Sequence, residues 1–362
     1  MRFAVLSEHD AASWRAAHAR GERSSALPYG IDALETKGHQ IAFAKQSPSP
    51  RLRRAWAKIE HRIGGDVERP LRAQRLAVGA DAVIGLLEQR TITAAAVRRK
   101  RVGPLGRRPL IMLSCWLAQW ITTAGPSERS RLIDRYRGID QIVVWSRNQI
   151  ETLEEAGFVR ESLGAIPFGV DTAFYRGEAD APRSIDVLAV GQDSGRDYST
   201  LFDAVRASDL TLDLVCRPEN LRGLDVPENV RVHGTVPHAR YRELLRSARV
   251  VAVPTHEFQY PTGQSVAMEA ASAGAAVAVT GTRPMREYFD ESVARLVDPG
   301  DAAGWRDALQ DLLASDADRI RLAGGGQCRA VERFDTESSW AAFDRHLRAV
   351  GLTAPSALEG AA

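Results

Sequence analysis

Short apolar runs alternate with stretches of helical periodicity along the whole chain, and this alternation predicts a parallel α/β protein. Apolar runs without an alternating polar face are typical of strands covered on both sides. In the first half, the predicted strands are Arg2–Leu6, Gln40–Ala44, Asp81–Leu86, Pro109–Ser114, Ile139–Trp145 and Leu163–Phe168. In the second half, they are Ile185–Val190, Leu210–Cys216, Val230–Gly234, Val250–Val253, Ala275–Val279 and Arg295–Val297.

The segments between these strands predict helices, with one long polar exception. Ser7 to Gly30 is interpreted as a long polar link, in which Ser24 or Ser25 caps a helix that runs to Lys37. The predicted strand, polar loop, helix and second strand form a βαβ unit with a candidate anion site at the helix start. Further helices are predicted after Ser146, over Ser199–Ala207 and His238–Ser247, and from Asp301 to about Val350.

A chain of 362 residues is too long for one ordinary core, which favours two domains. The polar stretch from Tyr175 to Ser184 interrupts the pattern near mid-chain and is interpreted as the linker. We therefore predict two doubly wound domains, residues 1–175 and 176–340. Residues 341–362 are predicted to form a helix that crosses back to the first domain, followed by a disordered tail.

One segment, residues 261–280, combines a loop, a helix and a buried strand. Thr262 to Ser265 are small or polar and suit the loop, and Gly274 suits a helix end. Glu269 is the one carboxylate in this segment of small residues, and a charge there is costly unless it has a partner. The sequence leaves three partners open: a neighbouring arginine, a backbone donor or a ligand hydroxyl.

Composition and charge narrow the functional classes. The chain is 44% apolar and 26% charged with a net charge of +2, so no strong field draws it to nucleic acid. Arginine is concentrated in Arg51–Arg75 and Arg98–Arg108. These segments fit solvated helix faces, and contact with an anionic partner or with membrane headgroups is the alternative.

The cysteines and the N-terminus predict a cytoplasmic protein. Three cysteines lie far apart without the spacing of a metal site, which fits a reducing compartment. The N-terminus lacks the pattern of a signal peptide, and no apolar run approaches the roughly 20 residues of a membrane helix. Peripheral attachment to the inner face of a membrane through the basic segments remains open.

Several motifs of the second half occur together in one known order. They are IPFGVDTAFY, DVLAVGQDSGRDYSTLFDAV, NVRVHGTVPHARYRELLRSARVVAVP, TGQSVAMEAASAGAAVAVT and ARLVDPGD. In this combination the chain resembles the retaining, nucleotide-sugar-dependent glycosyltransferases of the GT-B fold, in particular the glycosyltransferase family 4-like group. The resemblance covers residues 139–345 well and residues 1–138 loosely.

This resemblance implies two Rossmann-like domains that face each other across a cleft. The C-terminal domain would bind a nucleoside diphosphate-sugar donor and the N-terminal domain an acceptor. It further implies transfer with retention of configuration, no metal and no cofactor besides the donor substrate. The leaving phosphate would act as the base for the acceptor hydroxyl. Monomer and dimer both remain open.

The resemblance also implies a set of donor-side residues. Glu269 matches the glutamate that accepts hydrogen bonds from the ribose hydroxyls, and both it and Arg196 are the predicted catalytic residues. The acidic residue that the family places eight positions earlier is absent, since Pro261 stands there. Arg196 matches the basic group that contacts the diphosphate, with a salt bridge to Asp193 or Asp197 as the alternative. The predicted donor-binding residues are Gly191, Arg196, Thr262, Gly263, Gln264, Ser265 and Glu269.

The acceptor side is less defined by the sequence. Ser24 and Ser25 precede a predicted helix, Glu88 follows a predicted strand, and Trp116 lies four positions before Trp120 on one helix face. The two tryptophans fit either core packing or an aromatic wall for the acceptor. Two other functions remain open, a nucleotide-sugar epimerase of the same fold and a non-catalytic binding or scaffold protein on the same frame.

Overall fold

The computed structural model describes residues 1–63, 65–177, 182–206 and 208–353. Within them, the chain forms two parallel six-stranded sheets, which confirms the α/β prediction. The predicted tail at 354–362 and residues 178–181 of the predicted linker lie outside the described residues.

The chain divides into two compact units that are not continuous in sequence. The first contains Met1–Ala16, Ser25–Ile166 and Trp340–Ala362, and the second contains Ala17–Ser24 and Pro167–Ser339. The long segment of the second unit thus starts at Pro167, before residue 176, where the linker composition placed the start of the second domain. Residues 167–175 pack with the second unit because they bond to it. The Phe168 N–H donates to the Tyr288 hydroxyl at 2.8 Å, and the Val170 N–H donates to the Phe334 carbonyl at 2.9 Å.

The first sheet is entirely parallel, and its strands are mostly buried except for the partly exposed edge strand β2. It contains β1 (Arg2–Leu6), β2 (Gln40–Phe43), β3 (Ala82–Leu86), β4 (Leu110–Ser114), β5 (Gln141–Val144) and β6 (Leu163–Ala165) in the spatial order β2-β1-β3-β4-β5-β6. The helices up to Ile166 are α1 (Ala11–Ala19), α2 (Pro50–Ile63), α3 (Glu68–Gly79), α4 (Glu88–Arg99), α5 (Leu117–Thr123), α6 (Pro126–Tyr136) and α7 (Asn148–Glu155).

The second sheet has the strand order of a dinucleotide-binding fold. Its strands are β7 (Ile185–Val190), β8 (Leu212–Val215), β9 (Val230–Val232), β10 (Ala248–Val253), β11 (Ala276–Thr280) and β12 (Arg295–Val297) in the order β9-β8-β7-β10-β11-β12. Its helices are α8 (Thr172–Tyr175), α9 (Tyr198–Arg206), α10 (His238–Ser247), α11 (Gln264–Ser272), α12 (Ala302–Ala314) and α13 (Asp316–Arg333), and α14 (Thr336–Ala349) follows them. The order of the strands reverses between β7 and β10, which is where such sheets bind ligands.

The N-terminal prediction was wrong in two places. The interpreted polar link contains α1, whose alanines are strong helix formers although the segment shows no clear apolar stripe. The predicted helix from Ser24 to Lys37 is a 3₁₀ segment, Pro28–Leu34, kinked at Tyr29 (φ 59°) and Gly30 (φ 66°). Further 3₁₀ turns are Leu105–Arg107, Arg160–Ser162, Pro218–Leu221 and Met285–Glu287.

Helix α14 belongs to the first unit from Trp340 onward, in agreement with the predicted return of the C-terminal helix. Trp340, Phe343 and Leu347 are buried there, and the Trp340 indole N–H donates to the Tyr29 carbonyl at 2.9 Å. His39 Nε2 lies within hydrogen-bond distance of Asp344 Oδ1, at 3.0 Å. This histidine therefore holds the helix in its unit.

Candidate functional site

The second unit contains a cavity of about 680 Å³ at the carboxyl ends of β7 and β8, beside α10 and the start of α11. It opens at the point where the strand order reverses, so the topology alone makes it the expected ligand site of this sheet. All its lining residues belong to the second unit. They are Ala17, Glu22, Arg23, Val190, Gly191, Gln192, Asp193, Arg196, Val215, Val236, Pro237, His238, Tyr241, Ser265, Val266 and Glu269.

Glu269 lines this cavity from helix α11. The Tyr241 hydroxyl donates a short hydrogen bond to Glu269 Oε2. Burial raises the pKa of Glu269 to about 7, while hydrogen bonds from Tyr241 and Tyr175 and the charge of Arg196 act in the opposite direction. The partners of this carboxylate in the protein are therefore tyrosine hydroxyls, and no guanidinium bonds it among the described residues.

Arg196 follows β7 and is only 8% exposed. Its Nε donates to the Val190 carbonyl at 3.1 Å, and its Nη2 lies 3.4 Å from Asp193 Oδ2. The predicted salt bridge to Asp193 is therefore present, and Arg196 also lines the cavity. Its Nη1 is buried and has no hydrogen-bond partner in the part of the chain that the structure describes. Such a donor is costly until a ligand oxygen accepts from it.

Two glycines make room for the Arg196 side chain. A Cβ atom at Gly191 would lie 1.9 Å from Arg196 Nε, and a Cβ atom at Gly263 would lie 2.9 Å from Nη1. Gly263 also has φ 85°, a left-handed conformation that favours glycine, and it is the N-cap of α11. The roles of these two glycines are therefore to admit the arginine and to start the helix.

The remaining donor-side residues surround the start of α11. Ser265 lines the cavity, whereas Thr262, Gly263 and Gln264 do not belong to its lining. Thr262 is buried, and its Oγ1 donates to Asp193 Oδ1 at 3.1 Å. The first turn of any helix has N–H groups without intrahelical acceptors and carries a partial positive charge. This end of α11 is thus suited to an anion that reaches Ser265.

Sequence reasoning missed several cavity residues. His238 and Tyr241 lie three positions apart on α10 and reach the cavity together with Glu269, yet neither stood out in the sequence. Tyr175 bonds His238 Nε2 at 3.0 Å. Burial is the main cause that lowers the pKa of His238, and the charges of Arg23 and Arg242 lower it further. The three-residue spacing of His238 and Tyr241 indicates that they share one face of α10. The sequence does not indicate that this face lies near Glu269 of α11.

The two predicted N-terminal serines, Ser24 and Ser25, have different hydrogen-bond partners. The Ser24 side chain hydrogen-bonds Tyr175, the tyrosine beside Glu269, so Ser24 lies next to the cavity. The Ser25 Oγ donates to the Leu27 carbonyl at 2.9 Å, which is a local turn bond. Neither serine lines the cavity, whose N-terminal lining consists of Ala17, Glu22 and Arg23, but Ser24 directly follows Arg23.

Glu88 has a structural role in the first unit, and its predicted contact with an acceptor stays a prediction. It is fully buried in the first unit, and its Oε1 accepts from the Ser114 hydroxyl at 2.9 Å. The same oxygen accepts from three backbone N–H groups at the start of α5, those of Cys115, Trp116 and Leu117, at 2.7, 2.5 and 2.9 Å. This carboxylate therefore caps α5, and burial raises its pKa.

Trp116 precedes the first residue of α5 and stacks on Trp120. Their ring centroids are 6.2 Å apart with an interplanar angle of 24°, and both side chains are half-buried. The four-residue spacing thus placed the rings together, as predicted.

The described ranges contain neither a cluster of metal ligands nor a helix suited to span a membrane. No group of three or more His, Cys, Asp or Glu side chains is arranged to hold a metal ion. No helix in these ranges combines the length and the apolar character needed to cross a membrane.

Comparison with known proteins identifies relatives of the second unit and of the whole fold. Residues 198–315 match the family described as glycosyl transferases group 1. A D-inositol 3-phosphate glycosyltransferase of Xylanimonas cellulosilytica is 35% identical over 134 residues, which span 35% of this chain and 31% of that relative. The match therefore extends over about a third of the curated protein.

Solved structures resemble the chain over nearly its full length. The Anabaena protein HepE in complex with UDP superposes with a TM-score of 0.68 at 14% identity, covering 96% of this chain and 99% of that chain. A sucrose-phosphate synthase from Thermosynechococcus elongatus gives a TM-score of 0.68 at 17% identity with the same coverage of both chains. At these identities the likeness establishes the fold, and the GT-B prediction is confirmed.

Proposed function

We propose that the chain transfers a sugar from a nucleoside diphosphate-sugar to an acceptor hydroxyl. The match of residues 198–315 to the family described as glycosyl transferases group 1 supports this proposal. The observation that carries the proposal is the pairing in one cavity of a buried guanidinium and a partly buried carboxylate. The Glu269 carboxylate and the Arg196 guanidinium both line the carboxyl edge of a dinucleotide-type sheet. A nucleoside diphosphate offers the hydroxyls and the phosphate oxygens that such a pair requires.

In this proposal the ribose binds at Glu269. The Tyr241 hydroxyl occupies Oε2, and Oε1 is the oxygen we assign to the vicinal ribose hydroxyls. Two hydroxyls that donate to a carboxylate form charge-assisted hydrogen bonds and favour its ionised form. Donor binding would then lower the pKa of Glu269 from its value of about 7.

The diphosphate would bind at Arg196 and at the start of α11. The buried Nη1 has no acceptor among the described residues, and Nε and Nη2 are held by the Val190 carbonyl and Asp193. The guanidinium is thus fixed before the ligand arrives. A fixed cation gains most in the transition state, when charge develops on the departing diphosphate, so it accelerates departure at little cost in reorganisation.

The resemblance supports three finer proposals. The transfer retains the configuration of the sugar, requires no metal, and uses the leaving phosphate as the base for the acceptor hydroxyl. The first domain, 1–175 in the sequence division, supplies the acceptor surface, with the Trp116 and Trp120 rings as a candidate contact. The N-terminal segment adds Ser24 and Arg23 beside the donor cavity.

Thermal unfolding with UDP-, GDP-, dTDP- and ADP-linked sugars tests donor binding. A ligand that binds only the folded chain stabilises it by about 2.7 kcal/mol at a hundredfold excess over Kd. We expect one nucleotide class to raise the Tm, and Glu269→Ala to abolish most of that rise. Glu22→Ala is the matched control, because Glu22 lines the same cavity but is exposed and paired with Arg20. An unchanged rise in Glu269→Ala would contradict the placement of the ribose.

One rival is favoured by a specific residue. Pro261 replaces the acidic residue of the family pattern, which suits a protein that binds a nucleotide-sugar without transferring it. Incubation of the purified chain with the stabilising donor and an acceptor panel, with and without a chelator, separates the alternatives. A glycosylated product with the anomeric configuration of the donor supports transfer. An epimerised nucleotide-sugar supports an epimerase, and binding without turnover across the panel supports the binding protein.

A further inference from the structure

Helix α2 (Pro50–Ile63) contributes nothing to the core of the first unit. No described side chain of this helix is buried, and Leu52 and Ile59 are 55% and 42% exposed. A surface helix of a globular protein normally buries its apolar face against the core. In α2 that face is directed to solvent instead.

The exposed apolar residues of α2 form one stripe. Leu52, Trp56 and Ile59 are spaced by four and three positions, the spacing that aligns side chains along one face of a helix. Trp56 is half-buried and lies between the other two in sequence. Tryptophan is enriched where an apolar phase meets water, because its ring is apolar and its N–H is polar.

The rest of α2 is strongly basic. The helix carries one acid, Glu60, and its Oε1 already accepts from the backbone N–H groups of Val67 and Glu68 at 2.9 and 3.0 Å. The basic side chains form no ion pair with any residue in the described ranges. They are Arg51, Arg53, Arg54, Lys58 and Arg62.

The next helix repeats this combination of apolar and basic residues. On α3 (Glu68–Gly79), Leu71 and Val78 are 48% and 63% exposed. Between α3 and the end of β2 lies a groove of about 460 Å³ with apolar walls and three cations. Its lining consists of Phe43, Lys45, Leu71, Arg72, Arg75 and Leu76.

We propose that α2 is an interfacial helix that docks the chain on an anionic lipid surface, with the groove beside α3 as a secondary headgroup contact. Charge complementarity selects this occupant. An apolar stripe alone would fit many partners, but a stripe flanked by unpaired arginines is matched by acyl chains below a layer of negative headgroups. Neither the cavity nor the transfer reaction is needed for this inference, so it stands independently of the proposed function.

Flotation with vesicles tests the proposal on the full chain. We expect binding to vesicles of phosphatidylcholine mixed with phosphatidylglycerol and little binding to phosphatidylcholine alone. Binding should weaken with added salt, because the attraction of exposed charges is screened. Tryptophan emission should shift to shorter wavelength on binding, and Trp56→Phe should remove most of that shift.

Two double variants separate the apolar and the electrostatic contributions. Leu52→Glu with Ile59→Glu, and Arg54→Glu with Lys58→Glu, should each lower the vesicle affinity at least about tenfold. Because these side chains lie outside the core, the Tm should be unchanged. The matched controls are Ile320→Glu, an exposed apolar residue of α13, and Arg131→Glu with Arg137→Glu, exposed arginines of the first unit.

Two outcomes would overturn the proposal. One is that the parent chain does not bind the anionic vesicles, or that the α2 variants bind them as well as the parent does. The other is that the chain is a dimer in sedimentation, that Leu52→Glu with Ile59→Glu makes it a monomer, and that vesicles capture neither form. The stripe would then be covered by a second copy of the chain.

Discussion

At the scale of single residues, the proton on Glu269 links the cavity to stability. Its pKa in the folded protein is about 7, above the ordinary value of 4.5 that it has in the unfolded chain. The folded state thus holds this proton more tightly. The stabilising contribution is fully present below pH 4.5 and is lost as the pH rises through 7, because the buried carboxylate must then ionise.

Glu269→Gln should remove this pH dependence in the ligand-free protein. The difference in unfolding free energy between variant and parent should grow from pH 4.5 to about pH 7 and then stay constant. The gain should be on the order of 3 kcal/mol in favour of the variant, since the pKa is raised from 4.5 to about 7 and each unit corresponds to about 1.4 kcal/mol. Denaturant titrations across this pH range measure it.

Glu22→Gln provides the matched control for this experiment. Glu22 lies in the same cavity, but its hydrogen bond with Arg20 lowers the pKa of Glu22. Its variant should therefore show a flat difference over the same range. A flat difference for Glu269→Gln as well would mean that the Glu269 carboxyl titrates at its ordinary value.

Gly191→Ala should damage the donor site although it changes neither Glu269 nor Arg196. The added Cβ would lie 1.9 Å from Arg196 Nε, so the guanidinium must move out of its fixed position. We expect a loss of about 1–3 kcal/mol in unfolding free energy and loss of the nucleotide-induced rise in Tm.

Gly324→Ala is the control for the glycine change. Gly324 lies inside α13, a Cβ atom there meets nothing within 4 Å, and alanine in a helix interior is favoured by about 0.5–1 kcal/mol. This variant should be more stable and keep the full response to nucleotide. A full response in Gly191→Ala would show that the position of Arg196 is not needed for binding.

At the scale of elements, α5 depends on a residue that is distant in sequence. Glu88→Ala removes the acceptor of three backbone N–H groups and one hydroxyl, so we expect a loss of about 2–4 kcal/mol in unfolding free energy. Glu88→Gln keeps an acceptor oxygen and should cost much less. Chemical denaturation of both variants measures the difference.

Activity of the Glu88 variants distinguishes capping from acceptor contact. If Glu88 acts only through α5, Glu88→Gln should keep the transfer rate at temperatures where it is folded. A large loss of rate with unchanged stability would restore the acceptor role that the sequence suggested.

Helices and strands with a clear residue pattern were predicted with correct bounds. Those whose conformation depends on tertiary contacts were not. Strands β1, β7 and β12 and helix α10 have the predicted bounds, because apolar runs and helix formers define them locally. Helix α1 was missed because it buries too little to show an apolar stripe. The 3₁₀ segment after Leu27 was predicted as a helix because the positive φ angles at Tyr29 and Gly30 follow from a local kink, which residue spacing does not reveal.

At the scale of the whole molecule, the two units each have a buried tryptophan that reports on their stability. Trp340 lies in the core of the first unit and Trp305 in that of the second, 2% and 1% exposed. Trp340→Ala should lower the first unit's unfolding transition on the order of 10 °C, given a typical cost of about 3–5 kcal/mol. Trp305→Ala should lower that of the second unit instead.

A stabilising nucleotide-sugar identifies which transition belongs to which unit. Because every residue of the donor cavity belongs to the second unit, the ligand should raise only the transition that Trp305→Ala lowers. Differential scanning calorimetry of the parent and both variants resolves this. A single transition that responds to both variants and to the ligand would mean that the chain unfolds as one cooperative body.

The sequence by itself determined the fold class and the order of the strands along the chain, because periodicity is a local property. It also singled out Glu269 by its isolated charge among small residues and Arg196 by the family resemblance. Only the tertiary structure decided what surrounds them. Tyr241 and Tyr175 reach Glu269 from distant parts of the chain, Glu88 caps a helix that begins 29 residues later, and residues 17–24 group with the second unit. These are long-range contacts. They depend on how the strands are ordered in each sheet, which the spacing of residues along the chain does not encode.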